Sequence, residues 1–237
     1  MIKDERHTII LNYINKRELS YVEDIAIDLN IPLTTLRRDL KDLEVQKRII
    51  KVHGGAKPIK TSIVQEQDLQ LRLTEDKTAK QMIAEKAIKS LSRGSTVFID
   101  AGSTTYFLCK AIMPEFELTI VTNSFEHIKV LLGNGNENIY LVGGKYLQRT
   151  GAFVGSETLS SLARYTFDVA FIGANALDDK KNIYTTNIYE GQVKELAIKQ
   201  SQRAVILMTS NKLDKRAFVK IANLNDVILM TEKKDIY

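Results

Sequence analysis

Six short apolar runs in the last two-thirds of the chain restrict its architecture more than any other feature. They occupy residues 97–99, 118–121, 139–142, 169–172, 204–208 and 227–230. Each is rich in β-branched residues without polar alternation, as in strands buried on both faces, and helical patterns separate them. That order predicts an α/β domain with a mostly parallel sheet. The residues just past each run also share a character. The first run continues into Asp100-Ala101-Gly102-Ser103-Thr104-Thr105, the second into Thr122-Asn123-Ser124 and the third into Gly143-Gly144-Lys145. The fourth leads into Gly173-Ala174-Asn175 and the fifth into Thr209-Ser210-Asn211-Lys212. Carboxyl ends of strands line the ligand crevice of open α/β sheets, so these small and polar ends point to one shared pocket.

With 237 residues, 44% of them hydrophobic and 27% charged, the chain can bury a full core in one or two domains. The longest apolar run is five residues, 204–208, and the amino terminus carries Lys3, Asp4, Glu5 and Arg6. Neither a membrane span nor a secretory signal is expected, which predicts a cytoplasmic protein with no membrane partner. A single cysteine, Cys109, and the scattered His7, His53 and His127 exclude a disulfide framework and a recognisable metal site. No cofactor motif stands out: Gly143-Gly144-Lys145 lacks the spacing of a phosphate-binding P-loop, and no Gly-x-Gly-x-x-Gly follows a strand. Cys109, among Phe107, Leu108, Ala111 and Ile112, reads as a buried structural thiol.

Net charge is +5, and its distribution is uneven. Residues 1–36 hold four Lys/Arg against six Asp/Glu, whereas residues 37–60 hold eight against three. A positive segment this short suits a local phosphate-contacting surface, although a solvated basic helix face has the same charge signature.

Three helical patterns precede and enter that segment. The first starts near Asp4 or Glu5 and places Ile10, Leu11 and Ile14 on one face. The second carries Val22, Ile25, Ala26 and Leu29 at helical spacing, with Ser20 and Glu23 predicting a capping box. Asn30-Ile31-Pro32 breaks it, and a third helix begins with a Leu36, Leu40 and Leu43 stripe. Thr34, Arg37, Arg38 and Lys41 fall on the opposite side. Arg48 to Gly55 then alternates Ile50 and Val52 with Lys51 and His53 before a glycine pair, which predicts a β-wing. Two helices joined by a short turn match a helix-turn-helix whose second helix enters the DNA major groove. Thr34, Thr35, Arg37, Arg38, Lys41, Arg48, Lys51 and His53 are the candidate DNA contacts. Arginine pairs with a guanine edge, threonine touches a thymine methyl and lysine meets phosphate. A three-helix bundle for protein contacts, with Arg37 and Arg38 merely solvated, has the same periodicity.

Glu5-Arg6, the pattern over 22–29, Thr35-Leu36-Arg37-Arg38-Asp39-Leu40 with Leu43-Glu44, and Val52-His53-Gly54-Gly55-Ala56 resemble the winged helix-turn-helix of the DeoR family of bacterial transcription regulators. Pro32 stands where that family usually has a capping serine, and Lys47 where it usually has a glycine before the wing. The resemblance extends through the second domain at Asp100 to Thr105, Val121-Thr122-Asn123-Ser124, Gly143-Gly144, Phe153-Val154-Gly155, Phe171-Ile172-Gly173-Ala174, Val193-Lys194 and Ser210-Asn211-Lys212. It implies an effector domain that senses phosphorylated sugars and shares the fold of ribose-5-phosphate isomerase and coenzyme A transferases.

The residues themselves fit an anion site. Gly102 admits close backbone approach, while Ser103, Thr104 and Thr105 put hydroxyls and free amides at a helix start. Asp100 suits sugar hydroxyls, and an ordinary hydroxyl-capped turn is the plain alternative. Candidate effector contacts are Asp100, Gly102, Ser103, Thr104, Thr105, Asn123, Ser124, Gly143, Gly144, Lys194 and Lys212.

The predicted layout is a winged domain over 1–57, a linker over 58–74 and an effector domain over 75–237, whose opening helix over about 75–91 carries Ala79, Ile83, Ala87 and Leu91. The expected function is an operator-binding repressor of sugar-metabolism genes, acting as a homodimer or homotetramer and controlled by a phosphorylated sugar. The competing reading is a sugar-phosphate isomerase with a DNA-binding appendage. Isomerisation needs a positioned base, and Gly173-Ala174-Asn175-Ala176-Leu177-Asp178 offers an amide where such isomerases carry an acid, so no catalytic residue is expected. Asp178, followed by Asp179-Lys180-Lys181, reads as part of a solvated turn.

Overall fold

The computed structural model describes residues 3–15, 17, 19–46, 48–58 and 64–233; Lys47 and residues 59–63 of the expected linker lie outside them. The chain divides into two compact units, Met1–Thr61 and Ser62–Tyr237.

The first unit contains α1 (Lys3–Asn15), β1 (Ser20–Tyr21), α2 (Val22–Asp28), α3 (Leu33–Val45), β2 (Ile49–Val52) and β3 (Gly55–Pro58). Ile10, Ile14, Ile25, Leu36, Leu40 and Leu43 form its fully buried centre. Each of these aliphatic side chains contributes about 1.5–3 kcal/mol by leaving water. The turn between α2 and α3 is made by Asn30 in the left-handed region, φ 51°, a conformation asparagine tolerates well.

One detail departs from the expected helix start. Ser20 does not cap α2; it pairs with Ala56 in the wing sheet, whose strand order is β1-β3-β2. The N-cap is Tyr21, without a side-chain cap bond, and the Val22 N–H donates instead to the Gly54 carbonyl at 2.9 Å. The wing tip thus satisfies one of the free amides at the start of α2. A Cβ at Gly55 would meet the Ser20 carbonyl oxygen at 2.5 Å, so this close strand approach requires glycine. The wing's phase also differs: Ile49 is buried and Ile50 exposed.

Asp39, unforeseen as a structural residue, faces inward from α3. It accepts from Arg6 Nε at 2.5 Å, Arg6 Nη2 at 3.1 Å and lies 3.1 Å from His7 Nε2. Burial by itself would raise its carboxyl, but the Arg6 and His7 bonds and charges hold it below the usual range. The ion pair ties α1 to α3 beneath the basic face.

The second unit begins with α4 (Leu69–Thr74) and α5 (Lys77–Ile88). The βα alternation comes next: β4 (Thr96–Ile99), α6 (Ser103–Ala111), β5 (Thr119–Thr122), α7 (Phe125–Gly133), β6 (Ile139–Leu141), β7 (Lys145–Leu147), β8 (Ala152–Val154), α8 (Ser156–Leu162) and β9 (Phe167–Gly173). It closes with β10 (Ala176–Leu177), β11 (Asn182–Thr185), α9 (Ile188–Lys199), β12 (Ser201–Leu207), β13 (Val219–Asn223) and β14 (Ile228–Met230). The six apolar runs become the six strands of one sheet, in the order β14-β12-β9-β4-β5-β6, with every neighbouring pair parallel. Successive strand residues serve opposite faces. Phe98, Ala170, Ile172 and Ile206 pack with Leu162, Val193 and Ala197, whereas Val97, Ile99, Phe171 and Leu207 pack with Ile83, Ala87 and Leu108. Cys109 is buried in the second layer, which pushes its thiol up. The antiparallel β10-β11-β13 sheet and the β7-β8 hairpin are additions to this frame.

Where a linker was expected, residues 69–74 form α4, capped by Asp68, with Leu69 buried. The helix expected over 75–91 breaks from α4 at Asp76, whose φ is 49°. Lys80 explains the corner: its buried ammonium donates to the Arg72 and Glu75 carbonyls, orphaned at the end of α4.

Candidate functional site

On the first unit, Thr34, Arg37, Arg38 and Lys41 are exposed on α3 and Thr35 is half-buried, while Arg48, Lys51 and His53 are exposed on and beside the wing. Arg37, Arg38, Lys41, Arg48 and Lys51 make no ion pair or side-chain hydrogen bond among the described residues. The leucine stripe that buries the other side of α3 is what turns this set outward. The eight positions therefore form a basic, donor-rich surface on a helix and a wing, the composition that meets phosphates and base edges.

The second unit's site is set by its strand order. Strand β4 is followed outward by β5 and β6 on one side, and by β9, β12 and β14 on the other. The order reverses between β4 and β9, and crevices open at such switch points. A small cleft lies there, lined by Ala101, Gly102, Ser103 and Thr104 after β4 and Gly173, Ala174 and Asn175 after β9, with Arg72, Glu190, Lys194 and Lys212.

Gly102 is the N-cap of α6, in extended backbone, and a Cβ there would press on the Thr105 hydroxyl at 3.1 Å. The N–H groups of Gly102, Ser103 and Thr104 have no partner among the described residues, so the positive end of α6 faces the cleft unpaired. Thr105 turns away and donates to the Asp100 and Gly102 carbonyls at 2.6 and 3.0 Å. Buried His127 has Nε2 3.2 Å from the Gly102 carbonyl oxygen. Burial pushes this imidazole down to about 4, so the neutral ring is the donor that braces the loop from behind.

Three cations enter the cleft from three elements. Lys194, on α9 and buried, pairs with Asp100, whose Oδ2 also accepts the Gly173 N–H at 3.0 Å. Burial raises the Asp100 carboxyl while the Lys194 charge pulls it back. Lys212 donates to the Ala174 carbonyl at 2.7 Å, and desolvation, with the neighbouring Arg72 and Lys80 charges, pushes its amine down to about 7. Arg72, on α4, lies 3.5 Å from Glu66, and its Nε is buried without a hydrogen-bond partner among the described residues. Glu190 is 6% exposed and its Oε1 likewise lacks a partner among them. A site of this kind can hold an anion on amides and cations while a carboxylate accepts a hydroxyl.

Gly102, Ser103, Thr104, Lys194 and Lys212 thus converge, and six other expected positions do not line the cleft. Asp100 and Thr105 sit behind it. Asn123 accepts the Ala101 N–H at 2.9 Å and donates to the Phe153 carbonyl at 3.1 Å, and Ser124 caps α7. Gly143 and Gly144 follow β6, at the far edge from the switch; a Cβ on Gly144 would collide with the Thr158 hydroxyl, so close packing with α8 demands that glycine. Asp178 is buried rather than solvated. Burial would raise its carboxyl, but bonds from the Asn182 and Lys180 amides and Tyr184 hold it low, and it organises a turn.

Arg72, Glu66 and Glu190 escaped the sequence reading. Glu190 stands one helical turn before Lys194, a spacing that places both on one face and was its available signal. Arg72 was hidden in a segment read as linker, although Asp68 followed by Leu69, Leu71 and Leu73 marks a capped apolar element.

A winged helix-turn-helix unit joined to an α/β unit with an anion-suited cleft defines a DNA-binding transcriptional regulator with a sensor domain. The sequence matches the DeoR-like helix-turn-helix domain over residues 6–62 and the DeoR C terminal sensor domain over residues 75–233. This chain belongs to the DeoR family of transcriptional regulators. It is similar to the HTH-type transcriptional regulator GlpR of Haloferax volcanii, 33% identical over 97% of this chain and 89% of that protein. The lactose phosphotransferase system repressor of Staphylococcus epidermidis is 30% identical over 100% and 94%, and the L-fucose operon activator of Haemophilus influenzae 30% over 94% and 88%. These relatives are named as regulators, and the chain is a regulator rather than an enzyme. Among solved structures, eIF2B delta from Chaetomium thermophilum aligns over 70% of this chain and 60% of its own at 14% identity with a TM-score of 0.51, a likeness of fold alone. No helix among the described residues is long and apolar enough to cross a membrane.

Proposed function

We propose that this regulator is a cytoplasmic repressor of sugar-metabolism genes that releases operator DNA when a phosphorylated sugar occupies the cleft. Arg37, Arg38, Thr34 and Thr35 read base edges, and Lys41, Arg48, Lys51 and His53 hold the DNA backbone. The phosphate rests on the Gly102, Ser103 and Thr104 amides and hydroxyls, flanked by Arg72, Lys194 and Lys212. Glu190 accepts a sugar hydroxyl. Asp100, Thr105 and Asn123 act as positioning residues: Asp100 holds Lys194, Thr105 the loop carbonyls and Asn123 the Ala101 amide. Two or four copies work together, because paired recognition helices read half-sites about one DNA turn apart.

One observation carries the ligand class. A buried Glu190 oxygen, without a partner among the described residues, lies in the same cleft as an unpaired helix start and three cations. A bare anion would satisfy the cations and leave Glu190 orphaned; a ligand with both phosphate and hydroxyl groups serves all of them. The relative named as a lactose phosphotransferase system repressor supports the sugar and the negative sign of control. Thermal-shift screening against phosphorylated sugars, their unphosphorylated parents and inorganic phosphate tests the reading, since a bound ligand stabilises the native state with occupancy. Stabilisation by selected sugar phosphates above both controls is expected; stabilisation by the unphosphorylated sugars alone would contradict it.

A further inference from the structure

Residues 64–74, of which Arg72 lines the cleft, are the part of the second unit that follows the wing in the chain. They are tied down at both ends of a short stretch. The Val64 N–H donates to the Arg216 carbonyl and the Leu69 N–H to the Arg149 carbonyl, each at 2.8 Å, and Leu69 is buried. Between these ties Glu66 accepts the Thr186 hydroxyl and pairs with Arg72 across 3.5 Å, both side chains being 13% exposed. Burial pushes the Glu66 carboxyl up, and the charges acting on it come from Arg72, Glu190, Lys194 and Lys212, the ionised groups of the cleft.

The Glu66–Arg72 pair is incompletely made. Glu66 Oε1 and Arg72 Nε are both buried without hydrogen-bond partners among the described residues, so a residue that lines the cleft keeps a donor edge unused. A phosphate that takes this edge bidentately brings two negative charges beside the Glu66 carboxylate. Arg72 cannot yield easily, because Lys80 grips its carbonyl and that of Glu75. The stretch before it, 64–68, is held by the Val64 N–H bond and by the contacts of Glu66, and displacement of Glu66 removes the second of these ties.

We propose that Glu66 serves Arg72 as the anionic partner that a bound ligand replaces, and that an entering phosphate displaces it from Arg72 and loosens residues 64–68. The inference deepens, and rests on, the reading of the cleft as a phosphorylated-ligand site. Occupancy is then written directly onto the segment that leads from the sensor unit towards the wing, with no rearrangement of the sheet. The ligand's preference for the displaced state is the differential affinity that any such coupling needs.

Calorimetric titration of the full chain with inorganic phosphate tests this, using Glu66→Gln, Thr186→Val and Lys212→Ala beside the wild type. Glu66→Gln keeps the shape of the side chain and removes the repelling charge, so it should bind phosphate about tenfold more tightly than wild type. Thr186→Val, which removes a tether of Glu66, should bind more tightly by a smaller factor. Hydrogen exchange over 64–68 should accelerate with phosphate in wild type and respond little in Glu66→Gln. If phosphate binds wild type and Lys212→Ala abolishes it, but Glu66→Gln binds no more tightly, displacement is overturned while the cleft assignment stands. Exchange over 64–68 that is unchanged or slowed by phosphate in wild type also overturns it. Failure of wild type and both Glu66→Gln and Thr186→Val to bind phosphate overturns the displacement, and the cleft assignment falls with it only if phosphorylated sugars also fail to stabilise the wild type.

Discussion

The molecule carries two clusters of cations built from the same residue types, and they differ in what surrounds them. On α3 and the wing, Arg37, Arg38, Lys41, Arg48 and Lys51 stand in solvent without ion pairs among the described residues. In the cleft, Arg72, Lys194 and Lys212 are buried or half-buried, and each has a protein partner: Arg72 an ion pair with Glu66, Lys194 one with Asp100, and Lys212 a bond to the Ala174 carbonyl. Exposed charge costs little to maintain and suits a polyanion whose counterions are released on contact. Buried charge is costly and is kept only with partners, so a ligand must match those partners group for group. The contrast fits the proposed division between a surface that attracts any DNA, with a few side chains to discriminate, and a site selective for a small molecule.

The largest expected effect tests whether stability and recognition are separate on α3. Asp39→Ala removes the buried acceptor that Arg6 and His7 share and should lower the urea unfolding midpoint of the first unit. Arg37→Ala should leave the unfolding midpoint in place. The same Arg37→Ala should weaken operator binding by about tenfold to a hundredfold while non-specific binding falls far less, measured by fluorescence anisotropy. An equal loss on all sequences would move Arg37 among the backbone contacts. Lys51→Ala should weaken every duplex alike and reduce the slope of log affinity against log salt by about 1.

The smallest effect concerns protons in the cleft. Lys212, near 7 when the cleft is empty, is largely neutral at about pH 8.5, whereas a bound anion favours its charged form. Binding above neutrality therefore takes up a proton, and sugar-phosphate affinity should fall several-fold from about pH 7 to about 8.5, where the phosphate is already dianionic. Lys212→Arg keeps its charge throughout and should flatten that fall.

Much of the fold was legible because its signals are local. Six uninterrupted apolar runs became six parallel strands, and the leucine stripe of α3 fixed which side of that helix faces out. The cleft was half legible. Small and polar strand ends mark the correct edge of the sheet, but sequence does not give strand order, and order decides which ends meet. Gly143-Gly144 and Asn123-Ser124 have the right chemistry on strands beyond the switch, whereas Gly102 and Gly173 flank it. Arg72 and Glu66 enter from a segment that precedes every strand of the six-stranded sheet. Ser20 does not cap the helix because it pairs with Ala56 in the wing sheet and leaves the N-cap position to Tyr21, a tertiary contact overriding a local motif.

The central claim is that an anion held by the cleft controls a DNA-reading surface to which it contributes no group. Operator affinity measured with increasing concentrations of a sugar phosphate selected by thermal shift, for wild type and Arg72→Ala, tests it most directly. The account predicts equal operator affinity for both proteins without ligand, a progressive loss in wild type as ligand is added, and little loss in Arg72→Ala. The same ligand-driven loss in both proteins, or a variant that fails on operator DNA before any ligand is added, would contradict it.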